Sequence, residues 1–311
     1  MDVDADVLST VEAEVSAQPA ALEKHLREEL APAPPGSVFA GAGDGFAAAW
    51  IASCLSSRKH VAVDPYELVA DPALAKGRSV YFVSTSGRTA SNIAAAKRVR
   101  GIAKERTAVT ANAAGGLVNA TDSAIFIPYR SVPRLPGTLS FTLTLTTLLK
   151  LAVGSFECDF RGAYSKAERD SAKVHLADRG VTHFLGNGAA FPAGLYSALK
   201  VHEVLGKRAQ CTLLEEFSHA PLFALEKRDA VIIFRAFDPL GLGPKLSASL
   251  RGRGFDAVTI PPFRASPYDG VFHLVFLSQV AVIKRARSEG LPRPYFTLAS
   301  EKLAVSDLMI Y

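Results

Sequence analysis

One pattern of short apolar strand, glycine or serine turn and alanine-rich helix is written twice in this 311-residue chain, and few folds accommodate such a repeat. In the first half, residues 37–42 run into Gly41-Ala42-Gly43-Asp44-Gly45. Residues 60–63 give a second apolar stretch, and residues 79–84 lead into the helix that holds Ile93 and Val99. In the second half, His183-Phe184-Leu185-Gly186-Asn187-Gly188 answers Val38-Phe39-Ala40-Gly41-Ala42-Gly43. Residues 230–234, a helix over 244–250 and the run GRGFDAVTI answer residues 80–84, their helix and the run RTAVTAN. Strands alternating with helices of this length predict a parallel sheet covered on both faces. The repetition predicts two similar α/β lobes of three layers each.

The flanking segments divide the rest. Val7, Leu8, Val11, Val15, Leu22, Leu26 and Leu30 fall at helical spacing, interrupted by Pro19 and ended by the breaker APAPPGS, so residues 1–34 read as a helical arm. The first lobe then covers 35–155, a charged helical linker 156–179, the second lobe 180–288 and a tail 289–311 that opens at Gly290-Leu291-Pro292-Arg293-Pro294. Residues 138–145, TLSFTLTL, alternate like a half-buried strand, and their threonines favour one. Residues 146–152 continue as a helix.

Composition narrows the function classes. With 49% hydrophobic and 21% charged residues the chain is globular, and its net charge of +5 is spread along it. The densest basic runs, KRVR at 97–100 and KRAR at 284–287, lie in helices without interleaved aromatics, so no nucleic-acid partner is expected. A mild positive balance suits an anionic small molecule. Cys54, Cys158 and Cys211 are odd in number and widely spaced, which argues for core filling in a reducing compartment rather than disulfides or a metal site. The start MDVDADVLST has no signal-peptide character, and the apolar stretches 138–149 and 271–283 are shorter than the roughly 20 residues that span a bilayer. A cytoplasmic protein with no membrane partner is expected.

Two places carry chemistry. Ser84-Thr85-Ser86-Gly87-Arg88-Thr89 follows an apolar strand and precedes a helix, so hydroxyls, backbone N–H groups and the helix dipole converge on one point. That is a phosphate site, with Arg88 adding charge at its rim. The competing reading is that Thr89 or Ser86 caps the helix. The equivalent loop of the second half, Phe237-Asp238-Pro239-Leu240-Gly241, lacks the hydroxyls. The first glycine loop, with Gly43 at its centre, lets backbone approach a ligand. It lacks the third glycine of the dinucleotide fingerprint, so no nucleotide cofactor is expected. The second place is residues 196–221. Lys200 and Glu203 share a helix face, as a surface ion pair would, and Glu203 and His219, sixteen residues apart, are the two side-chain types suited to moving protons near neutral pH. Residues 215–221 read as a loop, with His219 at the turn and a helix starting near Leu222.

These motifs resemble the sugar isomerase (SIS) domain family, and within it the isomerase domains of glucosamine-6-phosphate synthases. The pattern FLGxGxxxPxxLxxALKxxE, fifteen intervening residues and HxP lines up over 184–221 without a gap, SxSGxT matches the phosphate loop, and residues 14–22 resemble the entry helix. The resemblance implies that Ser84, Thr85, Ser86 and Thr89 hold a sugar phosphate beside Gly43. It implies that Glu203 shuttles a proton between C1 and C2, that His219 assists ring opening from a neighbouring subunit of a homodimer, and that Lys200 lies near the sugar. It further implies a helix over 142–152, no metal or other cofactor, and Lys302 as the tail lysine. Arg134, after Pro133, resembles the arginine that stabilises the enediolate in archaeal phosphoglucose/phosphomannose isomerases. Departures are Gly45 in place of a hydroxyl residue, Ala220 after the histidine, and Asp2 rather than a cysteine after Met1, so no transfer of nitrogen from glutamine is expected. The expected activity is aldose–ketose isomerisation of a hexose or hexosamine 6-phosphate. An amino-sugar-phosphate deaminase or deglycase, and a sugar-phosphate sensor, are the alternatives.

Overall fold

A computed structural model describes residues 7–130, 134–264 and 266–311. The chain divides into two compact units, one of residues 21–156 with 301–311, the other of residues 1–20 with 157–300. The first helix, α1 (Val7–Leu26), runs through Pro19 without a break and buries Leu8, Val11, Val15 and Leu22.

The unit built on residues 21–156 contains β1 (Val38–Gly41), α2 (Asp44–Leu55), β2 (Val61–Val63), α3 (Pro65–Ala70), β3 (Ser79–Val83), α4 (Ala90–Arg98), β4 (Glu105–Thr110), α5 (Gly116–Ala120), β5 (Ser123–Phe126) and α6 (Leu139–Val153). Its five strands are parallel in the order β2-β1-β3-β4-β5, with Val38 opposite Val80 and Phe39 opposite Tyr81. β1 and β3 are buried along their whole length, as strands covered on both faces must be. Because β1 connects to β2 on one side and pairs with β3 on the other, the strand order reverses between β1 and β3. Open α/β sheets bind ligands outside the carboxyl ends of the strands at such a point.

The alternation of residues 138–145 does not make a strand: they belong to α6, the helix that the family resemblance implied, and Ser140 through Ala152 are all buried. The hydroxyl of Thr144 donates to Ser140 O at 2.7 Å, that of Thr146 to Thr142 O at 2.9 Å and that of Thr147 to Leu143 O at 2.9 Å. Each polar side chain is satisfied by its own helix one turn back, so a threonine-rich helix can be enclosed on every side.

The other unit contains α7 (Phe160–Asp170), β6 (Val181–Gly186), α8 (Ala190–Lys200), β7 (Arg208–Leu213), α9 (Leu214–His219), β8 (Ala230–Phe234), α10 (Leu242–Arg251), β9 (Asp256–Ile260) and α11 (Pro267–Ser288). Its sheet, β7-β6-β8-β9, is again parallel and repeats the first four positions of the other. Helix α11 packs on α7 through Phe160 and Phe272, edge to face at 4.8 Å. Beside them the buried carboxylate of Asp170 takes Lys166, Lys173 at 2.8 Å and His273 Nε2 at 3.1 Å, and burial pushes His273 down to about 4. The chain closes with α12 (Ser300–Ile310), and among the described residues no helix is long and apolar enough to cross a membrane.

Residues 215–221 depart from expectation. Leu214 and Phe217, three apart and buried, draw 214–219 into a short helix with His219 as its last residue. Beyond it Pro221–Ala224 makes a single 3₁₀ turn rather than the start of a longer helix.

Candidate active site

The loop 84–89 is held in place from behind. Thr85 O accepts from Ala111 N at 3.0 Å, Ser86 O from Asn112 Nδ2 at 2.9 Å and Gly87 O from Leu117 N at 2.9 Å. Gly87 has φ +62, and a Cβ there would stand 2.9 Å from Thr110 Oγ1, so only glycine lets the loop lie this close to the β4–α5 connection. In front, Ser84 Oγ accepts from Gly87 N at 3.1 Å and sits 2.9 Å from Thr89 Oγ1. Thr89 occupies the N-cap position of α4, yet its side chain makes no capping bond. The two roles weighed for this residue are therefore separated: its hydroxyl turns to Ser84 and the cavity instead of to the helix.

Ser84, Thr85, Ser86 and Thr89 line one cavity of about 210 Å³ with Ala42, Asp44 and Gly45 from the β1–α2 turn, at the reversal between β1 and β3. Helix α6 contributes Ser140, Phe141 and Thr144, and Tyr311 closes one side, its ring 5.2 Å from the Arg88 guanidinium carbon. None of these four was singled out from the sequence. Ser140 and Thr144, four apart, stand one turn apart on the helix that the alternation concealed. Gly43 takes φ +54 as the N-cap of α2, between lining residues on both sides. At Gly45 a Cβ would lie 3.0 Å from Val83 O, so the turn runs close against the end of β3. Arg134 is exposed with φ +63, and Ser131, Val132 and Pro133 before it lie outside the described residues. Lys302 is exposed on α12.

The second sheet has an equivalent crevice between β6 and β8, and it is filled. Phe237, at φ +67, packs over Gly188, where a Cβ would meet its Cβ and Cγ at 3.1 Å. The Asp238 carboxylate accepts from Leu242 N and Gly243 N at 2.9 Å each, so this helix N-terminus already holds an anion of its own.

The acid follows helix α8. Its last residue, Lys200, has no exposed surface, and Nζ donates to Glu203 Oε2 at 2.5 Å while Glu203 keeps 34% of its side chain exposed. This is not the surface pair suggested by the spacing. Between them the helix widens: residues Val201–Leu205 form a π-helical turn, closed by Gly206 at φ +65. Such turns are rare and concentrate at functional sites, because the extra residue re-aims a side chain without ending the helix. His219 is exposed at the end of α9.

No protein-family model matches the chain. Among curated proteins, glutamine–fructose-6-phosphate aminotransferase (isomerizing) of Brucella abortus is 26% identical over 196 residues, covering 54% of this chain, and that of Brucella suis matches equally. The match spans 31% of the length of those relatives. Solved structures extend the likeness to nearly the whole chain. Glucosamine-6-phosphate deaminase of Thermotoga maritima superposes with TM-score 0.75 at 18% identity over 91% of this chain and 96% of that one. Tagatose-6-phosphate ketose/aldose isomerase of Escherichia coli gives 0.71 at 19% over 91% and 95%. The C-terminal domain of the glucosamine-fructose-6-phosphate aminotransferase of Francisella tularensis gives 0.68 at 17% over 88% and 96%. The α/β fold expected from the SIS resemblance is thus the fold of this chain, two parallel sheets flanked by helices.

Proposed function

We propose that the chain is a phosphosugar-processing enzyme that interconverts the aldose and ketose forms of a hexose or hexosamine 6-phosphate, with Glu203 as the base. The observation that carries this reading is the contrast between the two crevices. One presents four hydroxyl residues and a helix N-terminus that no side chain caps, while its twin is closed by Phe237 and Asp238. A site kept open in one lobe and filled in the other is a ligand site. Its hydroxyls and amides suit a phosphate monoester.

The chemistry follows from the acidity of a C–H beside a carbonyl. Glu203 removes that proton from the open-chain sugar to leave an enediolate, the proton of the neighbouring hydroxyl passes to the former carbonyl oxygen so that the hydroxyl carbon becomes the new carbonyl, and the same carboxyl returns its proton to the former carbonyl carbon. No electrons leave the sugar. Positioned proton transfer of this kind contributes about 10²- to 10⁴-fold. His219 assists ring opening, and the chain acts as a homodimer in which His219 serves the neighbouring subunit. Arg134 is assigned to the developing negative charge on the enediolate, and Lys302 is the tail lysine assigned to substrate binding.

A second reading comes from the Thermotoga structure, a glucosamine-6-phosphate deaminase of the same fold. The two part at the product. Incubation with fructose 6-phosphate or glucosamine 6-phosphate in D₂O is expected to place deuterium at C1 or C2, and ammonia release from glucosamine 6-phosphate marks the deaminase instead. Glu203→Gln is expected to abolish exchange while leaving phosphate-ester binding in place; near-full exchange in that variant rejects the base. Mixing Ser86→Ala with His219→Ala protein restores activity if the histidine is shared between subunits.

A further inference from the structure

Behind Glu203 lies a file of buried polar side chains drawn from three helices. Gln18 of α1 donates from Nε2 to Gln279 Oε1 at 2.6 Å, and Gln279 of α11 donates from Nε2 to Tyr196 Oη at 2.8 Å. Tyr196 stands one turn before Lys200 on α8, and the Lys200 ammonium lies 5.0 Å from the centre of its ring. Gln18, Gln279, Tyr196 and Lys200 are each fully buried. The file ends at the Lys200–Glu203 contact on the π turn.

We propose that Gln18, Gln279 and Tyr196 are positioning residues for Glu203, acting through the ammonium of Lys200, an inference that rests on the reading of Glu203 as the base. A lysine at a protein surface has a flexible stem and a mobile charge. Here the stem is enclosed, and the ammonium is confined between a ring face, which attracts a cation, and one carboxylate oxygen. The ring is in turn fixed at its far end by Gln279, whose amide cannot rotate without losing Gln18. The two amide bonds of the file join fully buried side chains, and a buried polar network whose bonds are made holds one arrangement rather than several. The consequence is a carboxylate whose plane is set by a fixed charge on Oε2, on a helical turn whose irregularity would otherwise leave it free to sample rotamers.

A packing role alone would change stability and nothing else, so the test reads Glu203 itself. Its titration is followed by ¹³C NMR on protein labelled at glutamate carboxyl carbons, with the resonance assigned by Glu203→Gln. Lys200→Met is expected to raise the midpoint by about 1 to 3 pH units, the range for loss of an adjacent opposite charge. Gln279→Leu and Tyr196→Phe keep the ammonium but loosen it, and are expected to raise the midpoint by about half a unit and lower kcat about tenfold with KM unchanged. Tyr196→Phe retains ring and volume, so the question stays answerable should Gln279→Leu fail to fold. A wild-type midpoint in either folded variant overturns the proposal. Because the titration needs no turnover, a protein that shows the shifts yet leaves every sugar phosphate untouched rejects the isomerase reading and retains the positioning file.

Discussion

The ammonium of Lys200, without exposed surface, stands 2.5 Å from Glu203 Oε2, while Glu203 remains one-third open to solvent. The two members of this pair are therefore not equivalent. Removing Lys200 removes a buried charge along with its desolvation cost, whereas removing Glu203 leaves that charge in place and takes away the carboxylate that faces it. Lys200→Met is expected to change unfolding free energy by no more than about 1 kcal/mol, and Glu203→Leu to lower it by about 2 to 4 kcal/mol, below the fully buried case because Glu203 is partly solvated. Urea denaturation of the two variants decides it; equal losses would place the charge in a wetter environment than its burial indicates.

Thr89 should matter to the ligand and not to the helix. Its hydroxyl makes no capping bond, so Thr89→Val is expected to stay within about 0.5 kcal/mol of wild-type stability. Loss of one charge-assisted hydrogen bond to the phosphate should weaken fructose 6-phosphate about tenfold or more. Calorimetric titration and thermal unfolding of the same sample separate the two. A large stability loss with unchanged affinity would restore the capping role.

Gly206 closes the π turn at φ +65, and a Cβ there would lie 2.3 Å from the Tyr295 ring. Gly206→Ala is expected to destabilise the chain by about 2 kcal/mol or more, through backbone strain and displacement of that ring. It should also lower kcat, since Glu203 rides on the turn. A variant with wild-type melting and turnover would show that the turn relaxes without consequence.

Acid should weaken this protein well before its carboxylates protonate. Burial lowers the pKa of His25, His60 and His183, and pushes His273 from 6.5 down to about 4. Between about pH 6.5 and 4 the unfolded chain takes up protons that the folded chain refuses, so unfolding free energy rises with pH across that window and is lost as pH falls through it. His273 alone contributes a slope on the order of 1.4 kcal/mol per pH unit there. Asp170 and Asp229, whose pKa values are lowered, lose their contribution only as pH falls past the ordinary carboxylate range. Urea midpoints at pH 7.5, 6 and 5 measure the slope, and a flat profile would mean that the histidines are protonated in the fold.

The parts legible in the sequence are those whose information is local. β1, β3 and β8 are largely apolar runs because both faces of each are covered, and 84–89 is a hydroxyl-rich string at a strand end. β7 was not visible, since this edge strand leaves Arg208, Gln210 and Leu213 exposed and so lacks either period. Helix α6 hid behind an alternation of threonine and leucine that side-chain bonding to the preceding turn makes harmless. The burial of Lys200 was beyond reach for a different reason: Gln18 and Gln279 that accompany it come from distant helices, and no spacing rule connects them.

The stopper in the second sheet fixes a number. With Phe237 wedged over Gly188 and Asp238 neutralising the amides beside it, only one of the two equivalent sheet crevices is left open to an anion among the described residues. Equilibrium titration with inorganic phosphate should therefore saturate at one equivalent per polypeptide, and the symmetry of the sheets should leave no trace in the binding isotherm.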